Sequence, residues 1–354
     1  MNPAQRAGVA GATLVAAAVG VAAGFAAERV VVGRPLRRAT PTGRLGLGQL
    51  RGPHQLVAAD DGVQLYVEVD DPRPGSRWAD LTVVFVHGYA LNQDSYHFQR
   101  QALRGNARLV FFDLRSHGRS GRGTEDRATI GQLASDLHHV IDAVAVDGPI
   151  VLVGHSMGGM TIMGLAERAP ELFGDRIVGV GLLSTSAGEM AAVTLGLPAF
   201  ATRTFRRLAP RIMAVGKRSA VLLERGRQVS NDLAVLVTKV YAFASDVPIE
   251  VVDFSLGMIN ATPIDALADF YPALQDHHAF DALHVLDGTE TLVLVGEQDL
   301  LTPADHSREI VNLLPGAELV VLDPGGHLVM LERPDDVNSH LFDLIERAAR
   351  QAAS

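Results

Sequence analysis

The sequence predicts an α/β fold, a mainly parallel sheet with helices on both faces. Three observations point there. Short, almost wholly apolar runs recur along the chain, as expected of strands covered on both sides. Helical stretches separate most of them, the rhythm of strand–helix–strand units. An Asp60-Asp61-Gly62 turn between two shorter runs signals a hairpin at the start of the sheet.

Length and composition bound the reading. The 354 residues suit two average domains, or one large α/β domain carrying an insertion. Hydrophobic residues make up 47% and charged residues 20%, enough to bury a sizeable core. The net charge of −9, from 31 basic and 40 acidic residues, argues against a nucleic-acid partner, whose footprint would be basic. With no cysteine, disulfides, zinc-thiolate sites, iron–sulfur clusters and a cysteine nucleophile are excluded, but the compartment is not decided.

The elements follow in order. Residues 7–27 form an uncharged run of ten Ala, four Gly and four Val among 21 residues, long enough to span a bilayer but weakly hydrophobic. An anchor and a signal peptide cut after Ala26 both fit it. Arg29, Arg34, Arg37, Arg38 and Arg44 follow the run, which disfavours export. The expectation is a membrane-associated protein with its remaining domain on the cytoplasmic side; a secreted or soluble cytoplasmic protein is the alternative. Strands are expected at His54 to Ala59, Val63 to Val69, Leu81 to Val86, Leu109 to Phe112, Ile150 to Val153, Ile177 to Leu183, Thr291 to Val295 and Glu318 to Leu322. Thr129 to Val146 reads as a helix with Leu133, Leu137, Val140 and Ile141 on one face and Asp136 and Asp142 on the other. Between Gly188 and Leu286 no strand signal occurs, only apolar helical material punctuated by prolines. Its first half is basic and its second half acidic, a pattern of solvated faces or of a lid half seated on an anionic membrane. The expected organisation is a leader over 1–45, a first core part over 46–187, a helical cap over 188–286 and a second core part over 287–354.

Four short segments carry chemistry. Gly154-His155-Ser156-Met157-Gly158 lies between a strand and a helix, the context of a nucleophile elbow. So tight a turn admits only small residues two positions either side of the serine, and Gly154 and Gly158 meet that demand. A serine hydroxyl needs a base and an orienting acid. Asp299 follows a strand and would share the sheet end of Ser156, whereas Glu297 lies closer to the strand. His327 follows the last strand behind two glycines; Asp323, only four residues before it, is a weaker orienter. The other histidines, His117, His306 and His340 among them, read as ordinary loop or helix positions, and His87 and His155 as parts of backbone turns. No H-E-x-x-H occurs, so no metal is assigned. The fourth segment, His87-Gly88-Tyr89 after a strand, can present the Tyr89 N–H beside that of Met157, two donors for a developing oxyanion.

With these residues in place the chain resembles the α/β-hydrolase-fold serine hydrolases over about residues 54–350. The matching pieces are Val86-His87-Gly88, Asp113-x-Arg115-x-x-Gly118-x-Ser120, Gly154-x-Ser156-x-Gly158, Asp299 and His327, in the family's Ser, Asp, His chain order. The resemblance implies an eight-stranded sheet with its second strand antiparallel and a helical cap after strand 6. It implies Ser156 as nucleophile, His327 as general base and acid, Asp299 as orienter, and the Tyr89 and Met157 amides as oxyanion hole. The Asp113 to Ser120 loop resembles a structural loop of the family. The implied function is cleavage of an apolar carboxylic ester, a small-molecule substrate, without a cofactor. A cofactor-free perhydrolase, a thioesterase, an acyltransferase and a hydroxynitrile lyase share the serine chemistry, and a non-catalytic binding protein is the reading from another class. Leu195, Phe200, Phe254, Met258 and Phe270 are candidates to line an acyl channel. No protein partner is legible.

Overall fold

The computed structural model describes residues 45–145, 147–193 and 231–353. Eight strands make one sheet: β1 (His54–Ala58), β2 (Gln64–Asp70), β3 (Trp78–Val86), β4 (Ala107–Phe112), β5 (Ile150–His155), β6 (Ile177–Leu183), β7 (Glu290–Gly296) and β8 (Glu318–Leu322). Their order is β1-β2-β4-β3-β5-β6-β7-β8. β2 runs antiparallel to both its neighbours, and the other pairs are parallel. Every expected run is a strand. β3 starts three residues early because the Trp78 N–H bonds the Asn106 carbonyl at 3.2 Å, a pairing that side-chain polarity does not announce. The hairpin forms as expected, with Ala59 N–H on the Val63 carbonyl and Gly62 at φ +84°.

Described helices in chain order are α1 (His97–Leu103), α2 (Ile130–Val144), α3 (Met157–Arg168), α4 (Asn231–Ala242), α5 (Ile249–Ala261), α6 (Ile264–Gln275), α7 (Ala304–Leu313), the single turn α8 (Val329–Glu332) and α9 (Pro334–Ala352). Alternation along the strands sorts the core into two layers. Val84 and Val86 of β3 pack with Leu133 and Leu137 of α2 and Met160 and Met163 of α3. Val83 and Phe85 join the opposite layer with Leu341, Leu344 and Ile345 of α9. Helix α9 buries Val337, Leu341, Leu344 and Ile345 at helical spacing, at roughly 2 kcal/mol per side chain. Gly179 allows its close approach, since a Cβ there would stand 2.9 Å from that of Ala348.

Helix α2 is shorter than expected, and one of its charges is misplaced by the periodicity argument. Thr129 caps it by accepting from the Gln132 N–H at 3.1 Å. Asp136, expected on the solvent side, is fully buried. Arg115 explains the difference: its guanidinium reaches in from the loop after β4 and pairs with Asp136 at 2.6 Å and with Asp61 at 2.7 Å.

Helices α4 to α6 belong to the insertion between β6 and β7, and among its described residues no strand occurs. α5 and α6 begin immediately after Pro248 and Pro263. Part of the acidic half is paired, Asp265 with Arg122 at 2.8 Å and Asp246 with Lys239 at 3.0 Å. Residues 7–27, the remaining basic residues from Arg203 to Arg227, and Leu195 and Phe200 lie outside the described residues. Among those described, no helix is long and apolar enough to cross a membrane.

Candidate active site

Ser156 sits between the end of β5 and the start of α3 with φ 51° and ψ −116°, the strained conformation of an elbow. Backbone crowding explains the sequence around it. A Cβ on Gly154 would lie 2.6 Å from backbone atoms of Gly158 and Gly159, and one on Gly158 would lie 1.9 Å from the Val86 carbonyl oxygen. Gly159 abuts Thr185, whose hydroxyl donates to the Ser156 carbonyl at 2.7 Å. Ser156 N–H is held by the Leu183 carbonyl at 2.9 Å. The elbow is therefore wedged between the loop after β3 and the end of β6.

Asp299 follows β7 and His327 follows β8. His327 Nδ1–H donates to Asp299 Oδ2 at 2.8 Å, with both side chains buried. Thr302 Oγ1 donates to the same oxygen at 2.8 Å, while Oδ1 accepts from the N–H groups of Leu301 and Thr302. Four donors converge on one carboxylate and fix its plane. With Nδ1 committed as donor, the other ring nitrogen of His327 carries the lone pair a base requires. The competing acids point elsewhere: Glu297 pairs with Arg308 at 2.9 Å, and Asp323 accepts from Gln298.

His155 joins the two halves. Its Nε2–H donates to the His327 carbonyl at 3.0 Å, and the two rings stand 4.8 Å apart. Burial and the neighbouring His327 hold the His155 pKa well below the usual histidine range, so it remains neutral. Gly88 makes room for this ring, since a Cβ there would lie 2.6 Å from Nδ1. Tyr89 and Met157, the expected amide donors, lie in the loop after β3 and at the first residue of α3, the two segments that Gly158 brings into contact. The Tyr89 hydroxyl donates to the Leu267 carbonyl of α6 at 2.5 Å, and burial, with Tyr271 and Asp269 nearby, pushes its pKa up so that it stays protonated.

The loop after β4 supports this floor. Asp113 accepts from the Gln93 and Arg119 N–H groups, both at 2.8 Å, and Gly118 at φ +52° passes over its carboxylate. Burial raises Asp113 to about 6 against those hydrogen bonds. His87 donates to the Gly88 carbonyl and accepts from the Leu114 N–H, and burial lowers it to about 3. His117, expected at an ordinary loop position, is buried against His87, Tyr89 and Phe270 and lowered to about 4 by desolvation. His306 bonds Ser186 at 2.7 Å, and His340 lies 3.5 Å from Glu318.

Sequence reasoning missed Thr302, Thr185 and the seat of His155. Of these only Thr302 left a signal, an Asp-x-x-Thr-Pro run in which the aspartate can accept from the residues it precedes. Of the acyl-channel candidates, Phe270 packs on His117, Met258 is buried in the core and Phe254 is partly buried against it. A groove of about 750 Å³ lies away from these residues, bordered by Ile130, Gly164, Pro272 and His277, and includes no member of the triad. Among the described residues no group of three or more His, Asp or Glu side chains is disposed to hold a metal ion.

The model of the alpha/beta hydrolase family matches residues 83–340. A Pseudomonas putida dihydrolipoyllysine-residue acetyltransferase component of an acetoin cleaving system is 27% identical over 77% of this chain. The chain spans 66% of that protein's length, and 62% of its Cupriavidus necator counterpart's. The mouse sn-1-specific diacylglycerol lipase ABHD11 is 26% identical over 72% of this chain and 77% of its own. Among solved structures, a thermophilic esterase from Thermogutta terrifontis superposes with a TM-score of 0.63 at 23% identity, covering 84% of this chain and 99% of that one. An enol-lactonase from Burkholderia xenovorans gives 0.64 at 23% identity, with 83% and 100% covered. With the family's model matched over residues 83–340 and an eight-stranded sheet whose second strand runs antiparallel, this chain belongs to the alpha/beta hydrolase family.

Proposed function

We propose that the protein is a serine hydrolase that cleaves a carboxylic ester with an apolar acyl group through an acyl-Ser156 intermediate. The observation that carries this reading is the Asp299–His327 pair, 2.8 Å apart and seated by His155 against an elbow that strains Ser156. His327, its Nδ1–H held by Asp299, takes the Ser156 proton as the hydroxyl attacks the carbonyl carbon. The Tyr89 and Met157 N–H groups stabilise the oxyanion of the tetrahedral intermediate. The protonated His327 then gives its proton to the departing alkoxide, leaving the acyl group on Ser156. Water, deprotonated by His327 in turn, attacks the acyl-enzyme and restores the serine.

The test is turnover on esters of graded acyl chain length, with Ser156→Ala run beside the wild type. The expected result is measurable hydrolysis with an optimum chain length, lowered on the order of 10⁵- to 10⁶-fold in the variant. Hydrolysis that survives Ser156→Ala removes the serine from the mechanism, and a wild type inactive on every ester removes the ester.

A further inference from the structure

Glu332 closes α8, five residues after His327, and is buried to 8% exposure. A buried carboxylate must be compensated, and this one is compensated by neutral donors. Its Oε1 accepts from the Ala244 N–H at 2.9 Å, from the Ser245 N–H and from the Ser245 hydroxyl at 2.6 Å. Its Oε2 accepts from the Gly326 N–H at 2.7 Å. Ala244 and Ser245 belong to the strap between α4 and α5 of the insertion. Gly326 immediately precedes His327. One rigid carboxylate therefore has an oxygen on each side, the first on the insertion and the second on the histidine loop.

Two further contacts run in parallel with it. Leu328 N–H donates to the Ala242 carbonyl at 2.9 Å, and a Cβ on Gly326 would lie 2.8 Å from backbone atoms of Ala242 and Phe243. The histidine loop and the strap thus touch backbone to backbone, with Glu332 as the side-chain link between them.

We propose that Glu332 is a positioning residue for the reaction. It acts through His327, fixing the histidine loop to the strap so that the imidazole is placed only when the insertion is seated. The proposal rests on the reading of His327 as general base. Glu332 is not expected to touch substrate, so its removal should alter kcat far more than KM. Among the described residues Ser245 bonds the segment after His327 through Glu332, so the two residues should act as one unit.

The experiment compares Glu332→Gln, Ser245→Ala and the double variant with wild type and Ser156→Ala. Active sites are counted with a serine-directed fluorophosphonate, and kcat per counted site, KM and Tm are measured on one ester. Glutamine retains one acceptor oxygen and turns an amide toward donors on one side. The expected result is a fall in kcat of about 10-fold for Glu332→Gln and about 3-fold for Ser245→Ala, with KM within about 2-fold of wild type. The double variant should fall no further than Glu332→Gln alone, because the shared link is already broken. Unchanged kcat per counted site with only a lowered Tm makes Glu332 a fold staple and overturns the proposal. Multiplicative effects in the double variant overturn it too. If Glu332→Gln does not fold, an unchanged kcat in Ser245→Ala decides against it. Failure of the serine reading shows separately, as turnover that survives Ser156→Ala or a wild type that the fluorophosphonate does not label.

Discussion

The nucleophile side and the acid–base side of the site differ in their balance of steric packing and side-chain hydrogen bonding. Around Ser156 the chain is held chiefly by tight packing: Gly158 against Val86 and Gly154 against Gly158, backbone on backbone, and Gly159 against the Thr185 side chain. Around His327 close backbone contacts at Gly326 are joined by a larger set of hydrogen bonds, with Asp299 and Thr302 from the loop after β7, and Gly326 and Glu332 from the segment after β8, tied to the insertion. A steric wedge has no partial state, because any added atom must displace main chain. A hydrogen-bonded scaffold can lose one member and keep the rest. The first side should therefore fail all at once and the second by degrees.

Four substitutions or conditions test that contrast. The largest effect belongs to Asp299→Asn, which should lower kcat by about 10³- to 10⁴-fold by stabilising the wrong imidazole tautomer. A loss below about tenfold would mean that the acid is dispensable and the graded picture reaches even the triad. Gly158→Ala places a methyl 1.9 Å from a carbonyl oxygen and should destabilise the fold by on the order of 3 kcal/mol in chemical denaturation. Gly131→Ala, where a Cβ meets nothing within 4 Å, is the control and should be neutral or stabilising.

The third test is pH. His87 and His117, buried beneath the nucleophile side, fall to about 3 and about 4, and His277 to about 4, from an ordinary 6.5. The unfolded chain binds these protons first, so stability is full above pH 6.5 and is lost as pH falls toward 4. Each imidazole contributes a slope of about 1.4 kcal/mol per pH unit across that window. Asp113, raised to about 6, works in the opposite sense between about pH 4 and 6 and offsets one of them. Urea midpoints at pH 7, 6 and 5 should fall in that order, and a flat series would show that the buried imidazoles do not govern acid stability. The smallest effect is expected of Thr302→Val, which removes one of the four donors to Asp299 and should lower kcat about fivefold with KM little changed. A fall as large as that of Asp299→Asn would make the acid–base side as brittle as its neighbour.

The same division decides what the sequence reveals. β6 begins and ends where its apolar run does, because a strand buried on both faces of a parallel sheet writes its boundaries as local composition, and the partly buried edge strand β8 keeps its expected bounds as well. Ser156 is legible for a similar reason: its glycines stand two residues away and answer a demand of the immediate turn. Asp299 and His327 are legible once a serine requires partners at the same sheet end. Asp136 is not, since a helical period assigns it to solvent and the cation that compensates its buried charge, Arg115, comes from another loop. His117 and Glu332 are hidden in the same way. Their partners arrive from other segments, and nothing within a helical or strand period marks them.

The place of α9 in the chain bears on how the protein is made. A ribosome releases Ser156 and its elbow well before β7, β8 and the residues that would activate them. The sheet face carrying Val178, Leu183, Leu292 and Leu294 acquires its cover only when Leu341, Leu344 and Ile345 have emerged. Until then the nascent chain exposes a broad apolar surface while Ser156 still lacks His327, its proposed base. Helix α9, synthesised after all eight strands, thus ends two vulnerabilities together, shielding the sheet from aggregation and locking in place the strands from which the acid and the histidine project.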